Sequence, residues 1–392
     1  MPNMDEPVDG ANGENGLFWH PSSFNPVNFY RSFARTQHYD SISRPNYQVI
    51  TGQKVNKILF ASNTTRATGV QFTSRNPGSK PLAVKASKEI IISAGTIHTP
   101  QVLQMSGIGP RDLLEKAGIE VKVELPGVGA NFQDHAWLNV GYIWSNGTPA
   151  VPSDIRGQGD PKTGYAPNLG AWIGMPTVSP DGYEDLAARY EAQDPAAYMP
   201  PNTHPDVIAG YAAFQKFHAN LMRKKNANFL WLPLKGDASS SLLSMHVLSH
   251  GSININPLSP SSEPIVDYRA LTNPIDIDIM VENIEFLRRY MSLPDFATSK
   301  PVETNPGANI KGEALREWIR RNWIPTTFHP TGTAAKIPRD RGGVVDEDLL
   351  VYGTEGLSVA DASIMPLPPG ANTQSTVYMI AEKAADMLKA RQ

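Results

Sequence analysis

Apolar and polar residues alternate most clearly near residue 50. YQVITGQKVNKILF (residues 47–60) has the two-residue period of a half-buried strand. RATGVQFTS (66–74) answers it across the turn SNTT, which predicts a hairpin. LAVKASKEIIISAG (82–95) continues the β-rich run to Gly95. TPQVLQMSGIGP then predicts a helix with Pro100 in its first turn and Gly107 at its end. RDLLEKAGIE predicts a second short helix, and VKVELPGVG a strand and a turn. The first 43 or so residues look loop-like, with one short helix near NPVNFYRSFARTQHY.

The pattern weakens between about 145 and 235. SNGTPAVPSDIRGQGDPKTGYAPNLG is polar and broken by Pro and Gly, as expected of a long surface excursion. DLAARYEAQ and DVIAGYAAFQKFHANLMRKK have helical spacing. SLLSMHVLSHGSININP predicts strands with a turn at His250–Gly251, and EPIVDYRALTNPIDIDIMVENIEFLRRYMS a strand running into an amphipathic helix. GEALREWIRRNW is another helix, and GLSVADASIMP a short buried strand leading to a loop. The last segment, NTQSTVYMIAEKAADMLKARQ, places Val377, Ile380, Ala381, Ala384 and Leu388 along one helix face. This order predicts α+β, or part of an α/β fold.

Size and composition narrow the function classes. A chain of 392 residues suggests two domains or one large one. A net charge of −3 offers no basic field to nucleic acid or to an anionic membrane, and no apolar run is long enough to span a bilayer. The absence of cysteine excludes disulfides, thiolate zinc sites and a cysteine nucleophile. The acidic, Gly/Pro-rich opening is no signal peptide. His246 and His250 are four apart in what looks like a β pattern, too distant to chelate easily, so no metal is expected. No Gly-x-Ser-x-Gly is present, which excludes a nucleophile elbow.

One histidine stands in a more specific setting. His329 lies in FHPTGTAAKIP, after the aromatics Trp318, Trp323 and Phe328. AGTIHTPQVLQMSGIG (94–109) resembles a signature of the glucose–methanol–choline (GMC) flavin oxidoreductases. RPNYQVITGQKVNKILF, LPGVGANFQDH, HGSININPLSPSSEPIVDY, HPTGTA, VADASIMP and NTQSTVYMIAEKAAD resemble further family segments in the same order. The resemblance runs from about residue 30 to the end, and the aryl-alcohol and choline-type branches are the most similar.

The resemblance implies a GMC-type fold. Residues 1–140 would be the remainder of an FAD-binding domain, 141–325 a substrate domain with an antiparallel sheet and flanking helices, and 326–392 the return to the first domain. It also implies FAD as cofactor and a small-molecule alcohol as substrate. His329 would take the hydroxyl proton as hydride leaves for the flavin, and Asn372 would hold the substrate oxygen. Val55, Asp361, Ala362, Thr373 and Gln374 would contact the cofactor. His135 and Asp134 would stabilise a turn. The family's leading Gly-x-Gly-x-x-Gly, which holds the pyrophosphate at a helix N-terminus, does not occur in this sequence. That leaves a rival expectation of a flavin-free remnant: a non-redox cyclase or isomerase, a binding module or an inactive gene fragment. It also raises the expectation of a partner chain or homodimer covering the missing segment.

Overall fold

A computed structural model of the protein describes residues 30–147, 169–234 and 238–391, together with 3–4, 16–19, 23, 25 and 28. Most of the Pro/Gly-broken excursion expected after residue 145 lies outside the described residues. The architecture is mixed α/β with antiparallel sheets and helices, as the pattern predicted. No helix among the described residues is long and apolar enough to cross a membrane.

Strand Ala136–Trp144 shows what the alternation achieves. Ala136, Leu138, Val140 and Tyr142 are buried, while the residues between them are more accessible. The strand pairs antiparallel with Ser240–Ser244, setting Leu138 opposite Leu242, and with Pro301–Asn305 on its other side. Strands Leu230–Leu234, Leu169–Ile173, Gly16–Trp19 and Asn3–Met4 extend the sheet to seven strands. One core gathers Leu138, Val140, Ile173 and Leu230 of the sheet with Met222, Ile284, Leu287, Leu315 and Ile319 of the helices Pro205–Met222, Ile275–Met291 and Gly312–Asn322. A separate apolar cluster stacks Trp172 on its cross-strand neighbour Trp231, with ring centres 5.5 Å apart, beside Leu243 and Met245.

A second core uses the two ends of the described chain. The expected hairpin is present as Gln53–Phe60 and Ala67–Ser74, with Leu82–Lys85 as a third strand. Ile90–Ile92 pairs in parallel with Leu357–Val359, so the end of the chain returns to the beginning. Ile58, Leu103, Ile108, Leu125, Val345, Val359 and Ile364 fill the space between them. The closing helix Thr373–Ala390 packs here through Ile380, Ala384 and Met387. This is a narrower stripe than the expected face, because Ala381 is exposed.

Two local expectations are corrected. The helix containing Pro100 starts at Gly95, not near Thr99, so the proline sits inside the helix and not in its first turn. A proline there removes the N–H that would bond the carbonyl four residues earlier, that of Thr96. Thr333 Oγ1 donates to the Thr96 oxygen at 2.6 Å and replaces the missing bond. Thr96 Oγ1 in turn donates to Pro330 O at 2.7 Å, so the segment HPTGT is fastened to this helix. Thr333→Val keeps the shape but leaves a buried carbonyl without a donor. It should cost about 1–3 kcal/mol, read from urea unfolding midpoints. An unchanged midpoint would refute this role for the hydroxyl.

The second correction concerns residues 245–249, which form no strand. The buried Asp276 carboxylate accepts from Leu248 N, Ser249 N and Ser249 Oγ at 2.7, 3.0 and 2.6 Å and holds them as an irregular loop. His246 and His250 are therefore buried side chains of a loop, not members of a β ladder.

Candidate active site

Three of the sequence motifs meet in one short ladder. Phe132 pairs with Gly251 and Gln133 with Thr331, so the turn 131–135 lies between HGS and HPTGT. Close backbone approach makes glycine necessary at Gly332, where φ is 97° and a Cβ would lie 2.1 Å from Asn131 O.

Each polar side chain of this turn then holds a different part of the site. Asn131 Nδ2 and Gln133 Nε2 both donate to Pro366 O, at 2.9 and 3.0 Å, and so fix the loop leading to Asn372. Asp134 accepts from Thr326 Oγ1 at 2.6 Å, from His329 N at 3.1 Å and from Thr327 N at 3.3 Å. Burial raises its pKa to about 6, against the opposing pull of these hydrogen bonds. Between the two backbone donors stands Phe328, left-handed at φ 62° and 89% exposed. Of the aromatics before His329, Trp318 and Trp323 pack against the sheet core and Phe328 does not.

His135 holds the ring of His329. Their Nδ1 atoms are 3.0 Å apart and their rings meet edge to face, with centres 5.1 Å apart. Thr327 Oγ1 lies 2.9 Å from the same nitrogen of His329. Burial lowers the pKa of His329 to about 4 and that of His135 well below its usual value. Both rings are therefore neutral near pH 7, and a neutral imidazole with a lone pair on Nε2 can accept a proton. Beyond His135 lie His246, whose ring centre is 5.3 Å from that of His218, and His250; all three are buried and shifted down by burial. Among the described residues no group of three or more His, Asp or Glu side chains could hold a metal ion.

The other expected site residues have clear positions. Asn372 is the N-cap residue of the closing helix, although its side chain makes no capping hydrogen bond. Thr373 and Gln374 form the first turn, and Gln374 Oε1 accepts from Ser23 Oγ at 2.7 Å. Val55 is 42% exposed on the edge strand of the three-stranded sheet, next to a bulge at residues 55–57. Asp361 is buried, and its carboxylate is already engaged by Gly95 N at 3.0 Å, Thr99 Oγ1 at 2.5 Å and Ser363 N at 2.7 Å. It clamps the strand Leu357–Val359 to the helix Gly95–Met105, which leaves the backbone at Ala362 as the more available part of this turn. Sequence reasoning gave Asp134 and His135 only a turn-stabilising part and passed over Thr326 and Thr327. The available signal was an Asp-His pair in one motif and two threonines just before the histidine of another.

Comparison with known proteins gives the family. Residues 14–137 and 248–381 match the N- and C-terminal family models of GMC oxidoreductases. Among curated relatives, dehydrogenase XptC of Emericella nidulans is 32% identical over 97% of this chain and 64% of its own length. Mala s 12, a GMC oxidoreductase family protein of Malassezia sympodialis, is 33% identical over 97% of the chain and 62% of its own. The chain thus spans a little under two thirds of these curated relatives. Two solved structures are similar throughout. One, an FAD-dependent oxidoreductase from Chaetomium thermophilum, has a TM-score of 0.93 at 32% identity, covering all of this chain and 70% of that one. The other, a fungal aryl-alcohol oxidase, has a TM-score of 0.89 at 35% identity, covering 95% and 66%.

Proposed function

Because the chain belongs to the GMC oxidoreductase family, we propose that it serves FAD-dependent oxidation of an alcohol, with His329 as the base. The observation that carries this reading is the clamp on His329. Its backbone is held by Asp134, its Nδ1 lies against His135 and Thr327, and burial keeps the ring neutral. A neutral imidazole fixed on one side can take the hydroxyl proton on the other, and loss of that proton favours departure of hydride from the same carbon. The Asn372 amide can donate to the substrate oxygen but cannot accept its proton, so the two residues divide binding and proton transfer between them.

Parts of the chain suit the cofactor. The edge strand at Val55 offers backbone donors and acceptors to a flat heterocycle. The N–H groups at Thr373 and Gln374 open an 18-residue helix whose N-cap residue makes no side-chain capping hydrogen bond, and their partial positive charge suits an anionic ring edge. Ala362 opens a tight turn whose backbone lies next to the Asp361 clamp. When bound, FAD supplies the hydride acceptor. Resemblance to aryl-alcohol oxidase favours an alcohol with an aromatic body.

The test is an absorption spectrum of the purified chain with added FAD, followed by aryl and aliphatic primary alcohols without oxygen. The expected result is a bound-flavin spectrum that bleaches with an aryl alcohol. No bound flavin, even with excess FAD, would sink the redox reading for this chain by itself. It would favour the non-redox alternative, in which His329 serves acid–base chemistry alone.

A further inference from the structure

We infer that His135 is a positioning residue that decides which nitrogen of His329 carries the proton. This rests on the reading of His329 as the base. A neutral imidazole has one N–H and one lone pair, and only a lone pair on Nε2 leaves a base whose Nδ1 side is clamped. The two Nδ1 atoms, 3.0 Å apart, must form one donor–acceptor pair. Either His329 donates and keeps its lone pair on Nε2, or His135 donates and His329 is left with Nε2–H and no basic nitrogen facing outward.

The reading of His329 as the base requires the first arrangement. His135 Nδ1 is the nitrogen engaged by His329, so the tautomers of the two rings are coupled through that contact. With its own proton on Nε2, His135 presents a bare Nδ1 as the acceptor. Thr327 Oγ1, at 2.9 Å, can share the His329 Nδ1–H, because a hydroxyl both donates and accepts. Asp134 does not take this part: it accepts from the Thr326 hydroxyl and the backbone N–H groups of Thr327 and His329 instead. A neutral partner orients the ring without adding the negative charge that would raise its basicity, which agrees with a base that stays unprotonated at neutral pH.

The decisive measurement is the tautomer itself, by long-range proton–nitrogen NMR on the full chain with 15N-labelled histidine. His329 should show a protonated Nδ1 and a bare Nε2. His135→Phe fills the space but cannot accept, so the Nε2–H form of His329 should appear. His135→Asn places an amide oxygen where Nδ1 was and should restore the wild-type pattern. Where alcohol turnover is measurable, kcat/KM should fall about 10- to 100-fold in the Phe variant and recover most of that in the Asn variant. A bare Nδ1 in the wild type, or an unchanged tautomer in His135→Phe, overturns the inference. The expected tautomers in a chain that turns over no alcohol would support it and count only against the base reading.

Discussion

Replacing His329 with glutamine should lower alcohol turnover by about 100- to 10,000-fold, the usual contribution of a positioned general base. The fold should survive. Residues 326–329 are anchored to Asp134 by the Thr326 hydroxyl and the backbone N–H groups of Thr327 and His329, all of which the substitution leaves in place. Among the described residues the ring itself bonds His135 and Thr327 alone, and it is not fully buried, so no core cavity opens. The pH profile separates a lost base from a disturbed site. Protonated His329 has no lone pair, so wild-type kcat/KM should climb as pH rises through about 4 and level off above it. The glutamine variant should lack that limb. Equal unfolding midpoints for the two proteins would complete the case. Turnover within a few-fold of wild type would remove His329 from the chemistry.

How far the sequence could be read follows from which forces act locally. The hairpin at residues 53–74 was legible because two β-rich runs flank the turn SNTT, a signal that is local in the chain. The start of the helix at Gly95 was not. Pro100 usually marks a first turn, and here a tertiary bond from Thr333, more than two hundred residues away, supplies what the proline removes. Residues 245–249 were expected to continue a strand, yet Asp276 bonds the N–H groups of Leu248 and Ser249 away from any ladder. At the site, motif resemblance singled out His329 and Asn372 as candidates. It did not reveal the bracket that joins their segments, since Asn131, Gln133, Asp134 and His135 act on loops far along the chain. One motif was thus assigned a turn when its side chains place two others.

The buried histidines carry a cost that acid should expose. His246 and His250 are shifted down to about 4 and about 3, and His218 and His135 are also shifted down, with burial as the first cause in each. A histidine whose folded pKa lies below its unfolded value near 6.5 binds its proton more readily when unfolded. Stability is then complete above about pH 6.5 and is lost as pH falls toward the folded values, by about 1.4 kcal/mol per pH unit for each such group. Asp134 and Asp276 oppose this. Their pKa values, raised to about 6, let the folded state bind protons first and gain stability between about pH 6 and the ordinary carboxyl value. With His329, likewise lowered to about 4, five histidines outnumber two carboxylates, so the melting temperature should fall steeply between pH 6.5 and 4. His246→Phe should flatten that slope by about one proton's worth, because the side chain is replaced by one that has no charge to gain. Melting curves at half-unit steps with both proteins decide the matter. A melting temperature that holds steady or rises on acidification would mean that the carboxylates dominate, or that water reaches the histidines and restores their ordinary titration.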